Sequence, residues 1–236
     1  MKVTVVVFPG SNCDHDIIHT YSVLLDAEVS SVWHQDRDLK NPDIVVLPGG
    51  FSYGDYLRTG ALAKLSPVMQ EVRNFAQKGG SVIGICNGFQ ILCEAQLLPG
   101  VLLQNINTQF LSQFVHIKVE NNKTAFSANY SLGDIIPCPI APGDGNYSPV
   151  PETIEFLEGE GLVVFRYCDE KGKVSHDSRL INPNGAVNSI AGICNKGGNI
   201  VGMMPHPERA AEEKVGFIGA KSGLAVFNAL RDRQGL

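Results

Sequence analysis

The chain reads as an α/β protein of three layers, a central and mostly parallel sheet flanked by helices. Two observations carry that reading. Through the first half, short continuous apolar runs of strand type alternate with segments of helical periodicity. Those runs also lack polar alternation, the mark of strands buried on both faces, as crossover helices make them in parallel sheets.

The elements follow in order. Val3–Phe8 is a first buried strand, ended by Pro9-Gly10-Ser11-Asn12 and followed by a helical pattern with Ile17, Ile18, Tyr21, Leu24 and Leu25 on one face. Ile44–Leu47 is the next strand and stops at Pro48-Gly49-Gly50. Ser66-Pro67 supplies an N-cap and a first-turn proline for a helix with Val68, Val72 and Phe75 inward, which Gly79-Gly80 terminates. Ser81–Ile85 is a strand, and Phe89 to Leu98 reads as a helix running to Pro99-Gly100. The middle, Val115 to Tyr167, is strand- and turn-like, with Val115–Val119 and Leu162–Tyr167 as its strands. Asn182-Pro183-Asn184-Gly185 marks a turn, Asn199 to Met204 a late strand, and Ser222 a cap for a helix bearing Leu224, Phe227 and Leu230. With no internal repeat or linker, one domain over residues 1–236 is expected.

Composition narrows the function. The 236 residues are 44% hydrophobic and 18% charged, which fits a folded soluble protein and excludes a disordered one. A net charge of −5 without any basic run gives no electrostatic case for nucleic acid or an anionic membrane. The N-terminal apolar stretch is too short for a signal core or a bilayer span. The six cysteines, at 13, 86, 93, 138, 168 and 194, form no Cys-x-x-Cys pair, so zinc spacings are absent and no metal is expected. Reduced thiols and a cytoplasmic location are the expectation.

The segment Gly84-Ile85-Cys86-Asn87-Gly88 sits where a strand turns into a helix. A nucleophile on such a turn needs small residues two before and two after it, because strand and helix cross closely there. The turn lifts the sulfur above the sheet edge and puts it at a helix N-terminus, whose unpaired N–H groups and dipole favour thiolate. Covalent catalysis by Cys86 is the implied chemistry, although a cysteine taken alone is more often a core filler.

A sulfur nucleophile needs a base and an orienting group. His206 follows a strand in Met204-Pro205-His206-Pro207-Glu208-Arg209. The proline after it favours extended backbone, in which residues two apart share a face, so Glu208 can hold one ring nitrogen while the other faces Cys86. The N–H groups of Asn87 and Gly50 are expected oxyanion donors, with Gly49-Gly50 letting backbone approach the substrate. Neither a Walker loop nor a dinucleotide fingerprint is present, and His15 and His19 lack further ligands.

Together, Gly-Ile-Cys-Asn-Gly-Phe-Gln from Gly84, Gly49-Gly50 and His206-Pro207-Glu208 resemble the triad (class I) glutamine amidotransferases. Within that family the chain is most similar to the glutaminase subunits of purine biosynthesis. The narrower likeness is carried by Phe8–Asp14, Gly49–Arg58, Asn182–Gly185 and Gly202–Ala210. The resemblance implies a flavodoxin-like sheet, Cys86 as nucleophile, His206 as base and Glu208 as its orienter, with Gln90 at a position that contacts glutamine. It further implies ammonia delivery to a large synthetase subunit acting on formylglycinamide ribonucleotide, with a small accessory subunit bridging the two. This chain would hold no cofactor; ATP and magnesium belong on the synthetase. One stretch departs: where the family usually reads Pro-Ile-Ala-His-Gly-Glu-Gly, this chain has Pro139-Ile140-Ala141-Pro142-Gly143-Asp144-Gly145. The glutaminase of another amidotransferase, another cysteine hydrolase with the same elbow and a non-catalytic scaffold are the competing readings.

Overall fold

In the computed structural model, residues 1–215 and 223–234 are described. Nine strands form the main sheet: β1 (Lys2–Val7), β2 (Glu28–Trp33), β3 (Ile44–Leu47), β4 (Ser81–Ile85), β5 (Gln113–Val119), β6 (Ile135–Ile140), β7 (Val163–Cys168), β8 (Ile190–Cys194) and β9 (Ile200–Met203). Their order is β2-β1-β3-β4-β9-β8-β7-β5-β6. The first five run parallel, and the last four continue the sheet in antiparallel pairs. Helices α1 (Asp14–His19), α2 (Pro67–Gln77), α3 (Asn87–Glu94), α4 (Pro151–Gly159) and α5 (Leu224–Gln234) complete the fold. Among them, α1 packs on β1, α2 on β4, and α3 on β3, β4 and β9. Every residue of β3, β4 and β9 is buried, as their unbroken apolar runs require.

Local chemistry explains most boundaries. Past α2, Gly80 N–H donates to Phe75 O and Gly79 N–H to Ala76 O, both at 3.0 Å, with Gly79 at φ +89°. That double bond is a Schellman stop, so the glycine pair ends the helix as expected. Ser66 takes the extended N-cap backbone, but its hydroxyl makes no cap bond; it meets Tyr53 OH at 3.0 Å and His34 Nδ1 at 3.2 Å instead. Helix α1 continues into a π-helical turn, Thr20–Leu24, burying Ile17, Tyr21 and Leu25.

Helix α4 lies within the middle stretch read as strand- and turn-like, and three further differences from the sequence reading have clear physical causes. Helix α3 stops at Glu94 rather than Leu98, because Gln96 turns left-handed at φ +58° and Leu97 N–H reaches back to Leu92 O at 2.9 Å. Strand β6 was hidden by Pro137 and Pro139, which are tolerated because β6 is the sheet edge. Strand β2 is the opposite edge, and its polar Ser30-Ser31 interior gives no buried run. At the C-terminus Phe227 and Leu230 of α5 are buried, while Ser222 lies outside the described residues. Among the described residues, no helix is long and apolar enough to cross a membrane.

Neighbouring parallel strands end at one edge. Leu47 pairs with Gly84 and Met203 with Ile85, so Gly49, Cys86 and His206 emerge side by side beyond β3, β4 and β9. In open parallel sheets that edge is where ligands bind.

Candidate active site

Cys86 forms the corner between β4 and α3. Its backbone sits at φ +53°, ψ −107°, a strained conformation for a side chain with a Cβ, of the kind costing about 1–3 kcal/mol. Three bonds hold the corner: Cys86 N–H donates to Met203 O at 2.8 Å, and Cys86 O accepts from Phe89 N–H at 3.0 Å and Gln90 N–H at 3.2 Å. The flanking glycines are steric requirements. A Cβ on Gly84 would lie 2.5 Å from Gly88 O, and one on Gly88 would collide with the Leu47 carbonyl.

His206 and Glu208 are both buried, their side chains 1% and 0% exposed, and Glu208 Oε1 lies 2.6 Å from His206 Nδ1. His206 N–H donates to Pro139 O at 2.8 Å, so edge strand β6 fixes the backbone of the imidazole. Burial alone would lower the His206 pKa. The Glu208 carboxylate and the Cys86 and Cys13 sulfurs outweigh burial and hold the ring well above its ordinary value. His206 Nε2 is buried and accepts or donates no bond within hydrogen-bonding geometry.

Gly49 is the floor between these groups. A Cβ there would stand 2.7 Å from His206 Cε1, 2.9 Å from Cys13 Sγ and 3.4 Å from Cys86 Cβ. Gly50 adopts φ +141° and crosses the Gly10–Asn12 segment so closely that a Cβ would lie 2.7 Å from both Gly10 O and Asn12 N. Around it, Phe51 N–H donates to Gly10 O at 2.9 Å and Asn12 N–H to Gly49 O at 3.3 Å. This antiparallel bridge leaves the Gly50 N–H out of the ladder. Chain crossing alone therefore demands a glycine at this position.

A cavity of about 160 Å³ opens over the sulfur, lined by Cys13, Gly50, Cys86, Ala141, His206 and Arg209 among others. Phe51 and Phe110, exposed at its rim, stand 6.3 Å apart. Gln90 is absent from this lining: its Oε1 accepts from Asn87 Nδ2 at 2.8 Å, and its Nε2 donates to Asp144 O at 2.7 Å. Asn87 Oδ1 in turn accepts from Ser52 N–H at 3.2 Å. The divergent Pro142–Gly145 loop is thus tied to α3, and Asn105 clamps it further through Pro142 O at 2.8 Å and Gly145 N–H at 2.9 Å.

Two wall residues were missed from sequence. Arg209 donates from Nη2 to Cys13 Sγ at 3.1 Å and from Nε to Asp16 Oδ2 at 3.0 Å. Cys13 follows β1, which pairs with β3, so the sheet order brings it to the same edge. A ligand-type atom from each of Cys13, His206 and Glu208 lies within 4.8 Å of the other two. None of the six cysteines is in a disulfide. A wider groove of about 690 Å³ runs past Cys93, Glu94, Cys194 and Lys196, away from the elbow. Burial raises both of its thiols, Cys194 to about 11, so it offers no ready nucleophile.

Residues 1–217 match the family model of the CobB/CobQ-like glutamine amidotransferase domain. The PurQ subunit of phosphoribosylformylglycinamidine synthase from Aquifex aeolicus (strain VF5) is 49% identical over 230 residues, covering 98% of this chain and 99% of that one. The PurQ subunit from Chlorobaculum tepidum is 50% identical over 230 residues, 98% of this chain and 96% of its own. The fold matches a chain in the structure of PurLQS from Thermotoga maritima with a TM-score of 0.83 at 39% identity, covering 99% and 98% of the two chains. The glutaminase domain of Trypanosoma brucei CTPS, at 11% identity and a TM-score of 0.59, shares the fold.

Proposed function

Because the chain belongs to the CobB/CobQ-like glutamine amidotransferase family, we propose that Cys86, His206 and Glu208 carry out its glutamine hydrolysis. The chain is an enzyme subunit, the glutaminase of a phosphoribosylformylglycinamidine synthase in purine biosynthesis. Its partners are the large synthetase subunit and the small accessory subunit of that enzyme. Full-length similarity to such subunits disfavours both another amidotransferase and an unrelated cysteine hydrolase.

The observation that carries the site assignment is the buried 2.6 Å His206–Glu208 pair, whose second nitrogen faces the strained Cys86 corner. Cys86 sulfur attacks the side-chain carbonyl carbon of glutamine, and the N–H groups of Gly50 and Asn87 receive the developing oxyanion. His206 holds the thiol proton and passes it to the departing ammonia, while Glu208 keeps the ring oriented. Water then attacks the glutamyl thioester, with His206 taking its proton, and glutamate leaves as the thiol reforms. The balance is glutamine plus water giving glutamate plus ammonia. Asn87 and Gln90 act through their carboxamides to hold the elbow, and Gly49 keeps space open beside the sulfur.

We further propose that the whole chain acts as one catalytic domain in the cytoplasm, with ATP and magnesium used on the synthetase and no cofactor held by this subunit. The test is Cys86→Ala in the assembled complex. Glutamine-dependent product should vanish while product from added ammonium salt persists; equal loss of both would refute this division of labour.

A further inference from the structure

We propose that the active-site pocket is also a binding site for a soft divalent cation, with Cys13, Cys86 and His206 as ligands and zinc as the ion it selects, and that this ion inhibits the enzyme. Metal binding stands apart from glutamine hydrolysis, whereas the inhibition rests on the reading of Cys86 as its nucleophile.

The argument starts from donor type. Two thiols and one imidazole with a fourth position open are a set that zinc takes in tetrahedral sites, whereas magnesium and calcium demand oxygen. Zinc–sulfur bonds of about 2.3 Å and zinc–nitrogen bonds of about 2.0 Å need donors gathered around one point. That point exists beside Gly49. Cys13 Sγ, His206 Cε1 and Cys86 Cβ all lie within 3.4 Å of the position a Gly49 Cβ would take, so three donor-bearing groups surround one small space. Cys13 Sγ lies within 4.8 Å of a His206 ring nitrogen, and the Cys86 side chain, which lines the same cavity of about 160 Å³, would turn its sulfur toward them to complete the set.

The imidazole is the second observation. His206 is 1% exposed, and its Nε2 is buried without a hydrogen-bond partner while Cys13 and Cys86 lie against the same ring. Its Nδ1 is engaged by Glu208 at 2.6 Å. A carboxylate on the remote nitrogen of a ligating histidine is the arrangement that orients metal-bound imidazoles and raises their basicity. Arg209 donates to Cys13 Sγ at 3.1 Å, which holds that sulfur beside the imidazole. The fourth position faces the cavity, where water would complete the set.

Binding exchanges protons for metal. Two thiols release two protons to become two thiolates, which neutralise the dication, and the imidazole must be unprotonated; affinity therefore rises with pH. The bound sulfur of Cys86 is no longer free to attack an amide, so occupancy and catalysis exclude each other. Sequence spacing could not reveal this set, because its members are 73 and 120 residues apart by their numbering, 86 − 13 and 206 − 86.

Cobalt(II) added to the full chain provides a direct readout. It should give the thiolate-to-metal charge-transfer absorption and the intense visible bands of a tetrahedral ion, saturating near about one ion per chain, and zinc should displace it. Cys13→Ser and Cys86→Ser should each abolish the absorption, whereas Cys93→Ser should keep it. Wild-type protein gives an independent check that needs no variant: zinc should protect Cys13 and Cys86 from alkylation, mapped by mass spectrometry. In the assembled complex, Cys13→Ser should raise the zinc concentration for half-inhibition by at least about tenfold. Absence of the cobalt absorption, its survival in either ligand variant, or unprotected Cys13 and Cys86 with zinc present would overturn the proposal.

Discussion

The carboxamides of Asn87 and Gln90 meet just beyond the Cys86 corner, with Asn87 Nδ2 donating to Gln90 Oε1 at 2.8 Å. Their remaining groups reach in opposite directions, to Ser52 N–H and to Asp144 O. A single chain of hydrogen bonds therefore joins the loop after β3, the first turn of α3 and the Pro142–Gly145 loop. Truncating Gln90 strands the buried Asn87 amide, at a cost of about 1–3 kcal/mol, and frees the part-buried Asp144 carbonyl. Gln90→Ala should lower stability to urea by roughly that amount and reduce the glutaminase rate. An unfolding midpoint equal to wild type would show that this chain of bonds carries no load.

His206 and Glu208 should separate by role. His206→Ala removes the proton carrier and should cost the glutaminase rate roughly 100- to 10,000-fold. Glu208→Gln keeps shape but loses the charge that holds the imidazole, and should fall between that variant and wild type. His34→Ala and His116→Ala lie outside the triad and should cost far less. Steady-state assays of the four variants in the assembled complex decide the order.

Cys86 should be the sulfur that a glutamine-like alkylating agent finds. Burial raises the thiols of Cys13, Cys93, Cys138, Cys168 and Cys194 above their ordinary range. Peptide mapping should place the label on Cys86 with little elsewhere; a label concentrated on Cys93 or Cys194 would assign the chemistry to the wrong groove.

Asp55 predicts a pH-dependent stability. Burial, aided by the Asp144 carboxylate, raises its pKa from 3.8 to about 6, and its Oδ1 is buried without a partner. With the folded value above the unfolded one, its contribution is fully present below pH 3.8 and is lost as pH rises through about 6. Asp55→Asn removes that loss. Because the carboxyl is only half-buried, solvent screening reduces the expected gain to about 1 kcal/mol at pH 7.5, vanishing near pH 4. Urea titrations at both pH values measure it, and a gain equal at both would contradict an origin in the buried carboxylate charge.

Much of this was readable from residue order, and the limits are physical. Strand β4 and the Cys86 corner were legible because glycine offsets and an unbroken apolar run are local signals. The antiparallel half was not. Pro137 and Pro139 argue against a strand until β6 is known to be an edge, and β8 lies between turns that hide its length. The Asn182–Gly185 turn was legible as a turn, but not the burial of Asn182 and Asn184, whose amides reach Ala186 O at 2.8 Å and Tyr167 OH at 2.9 Å. Cys13 entered the cavity wall through strand order, which no local pattern encodes, and Arg209 through the turn after His206, where its N–H donates to His206 O at 3.2 Å.

Gly49 lies outside the left-handed region, so its backbone would accept alanine without strain, yet the added methyl would press on His206 and Cys13. The partition between a working and a blocked centre is therefore one hydrogen atom wide. Such a substitution leaves every reactive group in the chain and the outer surface as it was, and takes away only the room between them. A cell carrying it would inherit an assembled synthase deaf to glutamine, and its growth without external purines would depend on how much ammonium the medium held.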